Sequence, residues 1–577
     1  MAEAASATSQ GFAAGAFAMS PAGAMAQLTA PDAPFAFETI DIRGLPTRVW
    51  KNAPPSLRAI IEASAAFGDA DCIVFEDERL TYRQHFNAVC SLATALVTRF
   101  GVRKGDRVAI AMRNYPEWSI AFWAATAIGA LATPLNAWMT ADELAYCLND
   151  SGATVLVADG ERIDRLGDQL AALPMRAVIG TRPEKPFGAG VIPWEDVVSP
   201  ADGSSLPEAE IAPDDDATIF YTSGTTGMPK GVLGTHRNIC SNQITVGYGK
   251  AKSLLLAGES LPDPATLPKK AFLLPVPLFH VTGCHSAMVP TILSGNKLVL
   301  MYKWDARRGM ELIQREKVSG FTGVPAIAWQ IIEHPDFDKY DLSSLEAVSY
   351  GGAPAPAELP KLVKKTFPTA GAGNGYGLTE TSSVTSQNQG LEYLRKPDSV
   401  GMPVPVCEVR VVGPDGADVP PGEIGELWIK GPNVVKGYWN KPEETAKSFS
   451  DGWLHSGDLV RIDEEGFIYI LDRAKDMVIR GGENIYCTEV ESALYTHPAV
   501  MDAAVVGLPH RVLGEEVGAV VQLKPGFDVS EQDLIAHVAA RLAAFKTPVR
   551  IDIRVEPLPR NANGKVLKRD LKAELTR

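Results

Sequence analysis

The chain has 577 residues. Single hydrophobic cores stop growing at roughly 250–300 residues, so two or more domains are expected. A composition of 46% hydrophobic and 21% charged residues fits a globular enzyme, and a formal net charge of −14 argues against broad nucleic-acid binding. Seven scattered cysteines without a CxxC pair or zinc-ligand spacing read as reduced thiols, which suits a cytoplasmic protein.

Residues 1–38 are rich in Ala, Gly, Ser and Met, and the first basic residue is Arg43, so the charged start of a signal or transit peptide is missing. A disordered extension is expected there. Residues 118–141 carry no charge and are long enough to cross a bilayer, but Gly129, Pro134 and Asn136 interrupt them. A buried helix followed by a buried strand is expected instead, with no transmembrane span.

Short apolar runs at 108–112, 154–158, 218–221, 272–275, 297–301 and 347–350 read as buried strands, and 310–318 and 357–365 as helices between them. This alternation predicts an α/β fold with parallel-rich sheets flanked by helices. Residues 261–270, with three prolines, read as a surface loop. From Val411 the Pro- and Gly-rich turns predict a small β-subdomain. A boundary is expected at 472–475, giving a large unit over 39–471 and a small α+β unit over 472–577. In the small unit Ser530 and Asp533 form a capping signature ahead of Leu534, Ile535, Val538 and Leu542 on one helical face, between strands 519–523 and 551–555.

The most informative string is Tyr221-Thr-Ser-Gly-Thr-Thr-Gly-Met-Pro-Lys-Gly231. Its glycines allow several N–H groups to converge, its hydroxyls add donors and Lys230 adds charge, which together make a polyphosphate cradle. It lacks the spacing of a Walker loop. A generic Ser/Thr/Gly loop would be only a polar surface turn. This full string, however, closely resembles the signature of the adenylate-forming superfamily, which includes acyl-CoA synthetases, aryl-CoA ligases, luciferases and peptide-synthetase adenylation domains. Matching motifs continue in order from Leu80-Thr-Tyr82 to Lys568.

The resemblance implies roles at the matching positions. Thr222, Ser223, Gly224, Thr225, Thr226, Gly227 and Lys230 would hold the ATP β- and γ-phosphates. His280, after Pro-Leu-Phe, would stand beside the substrate carboxylate. Gly352 and Ala353, with Asn374, Gly375, Tyr376 and Gly377, would wall the adenine and the acyl carboxylate. Tyr376 would stack on adenine, Thr379 would contact the α-phosphate and Glu380 would hold Mg²⁺. Asp458 and Arg473 would reach the ribose, and Lys475 falls at the hinge position. Gly481 and Gly482 begin the loop that approaches pantetheine, and Lys565 matches the adenylation lysine. Taken one at a time, His280 could be a core histidine, Glu380 a surface acid, Asp458 a turn cap and Lys565 part of a solvated basic run. His236 and Arg237 could equally lie near the acyl or CoA tunnel or elsewhere.

The expected activity is therefore ATP-dependent carboxylic acid–CoA ligation through an acyl-adenylate, using ATP, Mg²⁺ and coenzyme A. The resemblance implies an acid pocket lined by parts of 238–246, 281–286, 322–326 and 350–353, which supply mainly small and apolar groups and no charged anchor for an ammonium, so a hydrophobic acid is expected. A medium- or long-chain fatty acid leads, and an aryl or aryl-alkanoic acid is the alternative. A nucleotide-binding relative without catalysis is the reading from another class. Partners are the small-molecule acid, ATP and CoA, with no nucleic acid, and a homodimer is left open.

Overall fold

The computed structural model describes residues 17–199, 201–222, 228–263, 266–352, 355, 358–561 and 564–576. Among these, a seven-stranded sheet runs in the spatial order Lys230–Thr235, Asp216–Thr222, Leu131–Pro134, Arg107–Ala111, Val155–Asp159, Ala177–Thr181 and Val191–Pro193. Its pairs are parallel except the first. A nine-stranded sheet runs Met402–Pro403, Ser386–Gln389, Gly371–Tyr376, Ala347–Gly351, Gly320–Gly323, Ala271–Leu274, Lys297–Leu300, Asp71–Phe75 and Glu78–Thr81, parallel at its centre and antiparallel at both edges.

Strands such as Arg107–Ala111, Ala271–Leu274 and Lys297–Leu300 are nearly continuous apolar runs because both sheet faces are covered. Helix Pro116–Ala127 lies between the sheets, touching strands of both, and all twelve of its residues are buried. Trp118 and Phe122 stack there at 5.6 Å. The uncharged stretch is thus a twelve-residue helix followed by strand Leu131–Pro134, and no described helix is long and apolar enough to cross a membrane. The other expected strands and helices form within a few residues of their predicted ends. Helix Ala306–Glu316 stops early because Lys317 takes a left-handed conformation, φ 51°.

Five further strands between Glu408 and Arg473 form a sheet around Leu427, Ile429, Leu454, Val460 and Ile468. A separate core, including Val478, Leu494, Val505, Val521, Leu534 and Val538, belongs to the last five-stranded sheet. There strands Gly514–Leu523 and Arg550–Arg554 pair in parallel, with helix Glu531–Ala539 between them in sequence and its Ser530–Asp533 capping box formed.

The expected disordered extension needs correction from residue 17 onward; residues 1–16 lie outside the described residues. Helix Pro21–Leu28 is capped by Ser20 and buries Ala24 and Leu28 beside Tyr248, Leu255 and Leu256 of helix His236–Leu256. A hairpin of Phe37–Ile42 with Leu45–Trp50 follows. An eight-residue helix is unstable alone and exists by docking, which composition does not reveal.

Candidate active site

The ends of strands Ala347–Gly351 and Gly371–Tyr376 meet where Gly351 pairs with Gly375. A Cβ on Gly351 would lie 2.4 Å from the Gly375 carbonyl oxygen, so the strands approach as only glycine permits. Beyond the strand, a Cβ on Gly377 would lie 1.3 Å from the Ser383 carbonyl oxygen. Gly352 turns the chain with φ 74°, and Asn374 is buried between them and the next strand.

The crevice above these glycines is lined by His280, Val324, Gly351, Gly352 and Lys565, with Val276, Pro277 and Thr282. Lys565 therefore crosses from the small unit into the large one. His280 begins a helical turn, its Nδ1 accepting from the Thr282 N–H at 3.3 Å. Burial, reinforced by the Lys565 charge and by His285, lowers its pKa to about 3, so the ring is neutral. Burial also lowers the Lys565 pKa, as do the charges of Arg473 and Lys475, while Asp458 and Glu380 oppose this.

The loop that carries Lys565 is held from both sides. Asn561 Oδ1 accepts the Lys565 N–H at 3.0 Å, and Gly564 has φ 76° with Val324 packed against it. Arg560 donates to the Gly564 carbonyl and pairs with Asp502, which also accepts the Tyr495 hydroxyl at 2.7 Å. Sequence reasoning missed Arg560 and Asp502.

Asp458 is 3% exposed. It accepts the Tyr376 hydroxyl at 2.5 Å and the Arg473 guanidinium at 2.6 Å. Burial raises its pKa, and Arg473 and Tyr376 pull it back. Thr379 and Glu380 sit on the short turn Thr379–Thr381 that follows Tyr376. Glu380 accepts the Tyr438 hydroxyl at 2.8 Å on Oε1. Among the described residues no group of three His, Cys, Asp or Glu could hold a metal. A single carboxylate with a free oxygen does fit Mg²⁺ that keeps waters and phosphate oxygens around it.

Thr222 ends the strand before the phosphate loop, its hydroxyl 3.5 Å from the Lys230 carbonyl oxygen. Ser223, Gly224, Thr225, Thr226, Gly227 and Ala353 lie outside the described residues. Lys230 pairs with Glu444 and stands 5.4 Å from the Tyr438 ring. Tyr438 thus joins Glu380 to Lys230, a link that the sequence did not signal.

Lys475, Gly481 and Gly482, like His236 and Arg237, are not among the residues that line the crevice. Lys475 is exposed on the connection between the two units. Gly481 and Gly482 form an exposed turn with φ 60° and 93°, tied by the Gly481 N–H to the Leu513 carbonyl at 2.8 Å. The buried His236 accepts the Leu57 N–H at 3.1 Å, and Arg237 makes two 2.7 Å bonds to Asp214. Neither of the latter pair lines the crevice.

The family described as AMP-binding enzyme matches residues 61–439, and its C-terminal domain matches 489–565. The chain belongs to this family. A feruloyl-CoA synthase from an Amycolatopsis species is 35% identical over 495 residues, covering 85% of this chain and 93% of that relative. A long-chain-fatty-acid–CoA ligase of Bacillus subtilis is 34% identical over 560 residues, covering 90% and 95%. Among solved structures, an anthranilate CoA ligase in complex with anthranoyl-AMP superposes with a TM-score of 0.80 at 26% identity, covering 90% of this chain and 97% of that one.

Proposed function

We propose that this protein is an AMP-forming carboxylic acid–CoA ligase that joins ATP and a hydrophobic acid into an acyl-adenylate and then transfers the acyl group to coenzyme A. The observation that carries the reading is the ammonium group of Lys565 in the glycine-floored crevice beside neutral His280. In the first step the acid's carboxylate oxygen bonds to the α-phosphorus and the bond to the bridging oxygen of pyrophosphate breaks. Charge accumulates on the α-phosphoryl oxygens and the leaving group. Lys565 and the Thr379 hydroxyl are suited to meet it. His280, uncharged, orients the carboxylate without neutralising its nucleophilic charge.

Asp458 offers carboxylate oxygens to a ribose diol, Tyr376 a ring face to adenine, and Glu380 an oxygen to Mg²⁺ arriving with the nucleotide. Thr222 and Lys230 flank the loop that takes the β- and γ-phosphates. In the second step the CoA thiol attacks the acyl-adenylate carbonyl and AMP leaves. Rotation of the small unit about Lys475 would withdraw Lys565 and bring Gly481 and Gly482 towards the thiol. The exposure of Lys475 between two separate cores supports such a pivot.

The test is pyrophosphate release from ATP and Mg²⁺ with a panel of fatty, aryl and amino acids, with and without CoA. Thioester formation with one acid class is the expected result. ATP binding without pyrophosphate release for any acid would overturn the reading. By their names the relatives act on both fatty and aryl acids, and the slot beside the crevice bears on that choice.

A further inference from the structure

The inference rests on the ligase reading and concerns the acid. Across the large sheet, Thr322, Ser349, Gly373 and Gln389 stand in one row, and Gly351, Gly375 and Gln387 in the next but one. Side chains two residues apart along a strand share a face, so both rows face the same way. That face is the crevice's, because Gly351 lines it. The Ser349 Oγ would lie 3.2 Å from a Cβ on Gly373, and the Gln389 Cγ 3.5 Å from it. Among the described residues a Cβ on Gly375 would meet nothing within 4 Å. Bare backbone therefore floors an open slot between Gly351 and the Gln387 carboxamide. Adjacent strands are roughly 4.8 Å apart, so the floor spans about 10 Å.

The far end of the slot is closed. Gln387 Nε2 donates to the Thr245 carbonyl at 2.8 Å, and Gln389 Nε2 donates to Gln387 Oε1 at 2.7 Å. A Cβ on Gly249 would fall 1.8 Å from Gln387 Oε1, so helix His236–Leu256 presses onto the amide pair. At the side, within residues 281–290 only Thr282, Ser286 and Pro290 escape full burial. Their spacing of four makes one face of the helical segment; Thr282 lines the crevice, and Ser286 meets the Ser383 hydroxyl at 2.5 Å.

Three polar atoms in this row have no hydrogen-bond partner among the described residues: the Thr322 and Ser349 hydroxyls and, nearest the closed end, the Gln389 carbonyl oxygen. A saturated chain would dehydrate them without replacing the water. A ring laid on the glycine floor would not, if it carried a donor or acceptor at its far edge. We propose that the slot takes a planar aromatic acid bearing a hydrogen-bonding ring substituent distal to the carboxylate, with Ser349 and Gln389 reading that substituent.

The experiment compares kcat/KM for 4-hydroxycinnamic, cinnamic, octanoic and palmitic acids with ATP, Mg²⁺ and CoA, in the wild type and in a Ser349→Ala/Gln389→Leu variant whose melting temperature is checked. The hydroxylated ring acid is expected to exceed cinnamic acid by about tenfold or more, and the variant to reduce that ratio towards one. Preference for octanoic or palmitic acid would overturn the slot assignment while leaving the ligase reading intact. So would a hydroxyl preference that the variant keeps, or the absence of any hydroxyl preference in the wild type. Absence of pyrophosphate release with every acid would overturn the ligase reading and the inference with it.

Discussion

The Arg473 guanidinium lies 2.6 Å from the Asp458 carboxylate, and the two residues face each other across paired strands, so the strand ending at Arg473 delivers the arginine to that buried carboxylate. Arg473 also adds to the positive field around Lys565. Asp458→Asn removes a buried charge from between Arg473 and Tyr376 and loosens the ring that would stack on adenine. A loss of about 10–100-fold in kcat/KM for ATP is expected. Steady-state kinetics at varied ATP check it; an unchanged KM and kcat would remove Asp458 from the nucleotide site.

Lys565→Gln shortens the side chain by one atom, keeps it polar and removes the charge. Acyl-AMP formation is expected to fall about 10²–10³-fold. Thioester formation from supplied acyl-AMP should fall far less, because that step would proceed with Lys565 withdrawn. Because the ammonium must be protonated to act and its pKa is lowered, the first step should decline with rising pH earlier than an ordinary lysine near 10.5 would allow. Rapid-quench measurement of pyrophosphate across alkaline pH tests this, and equal losses in both steps would contradict it.

Glu444 holds Lys230, and phosphates bound as proposed would have to displace it to reach that charge. The apparent ATP affinity is then reduced by the fraction of Lys230 engaged with Glu444. Glu444→Gln should lower KM for ATP severalfold, an effect that shrinks at high salt. A raised KM would mean instead that Glu444 orients Lys230 for the phosphates.

Three fully buried histidines, His85, His236 and His285, have pKa values lowered by burial to about 4 from 6.5. Between those values the unfolded chain binds protons that the folded chain does not, so stability rises with pH there and is lost as pH falls from 6.5 towards 4. Each site contributes up to about 1.4 kcal/mol per pH unit in that window. The melting temperature should drop between pH 6.5 and 5, and His236→Gln should flatten the slope. A melting temperature independent of pH over that range would refute the assignment.

The order of strands and helices was legible because a buried strand must be apolar and a helix must repeat its apolar face. The phosphate-loop string and the Lys565 motif stood out in the sequence because the chemistry proposed for them needs particular residues close together in the chain. By contrast, the Ala-rich stretch containing helix Pro21–Leu28 reads as disorder until its docking partner is known. Gly481 and Gly482 were marked by their motif, yet they stand in an exposed turn while Lys565 holds the crevice.

By itself the sequence determined the α/β class and the adenylate-forming family, and it nominated residues suited to that chemistry, since these depend on local backbone freedom and side-chain type. Only the tertiary structure decided that Lys565 enters the crevice beside His280, that Glu444 reaches Lys230 across 214 residues, and that the slot is floored by Gly375 and closed by Gln387. Those relations come from packing and strand register between distant segments, and no short stretch of the chain encodes them.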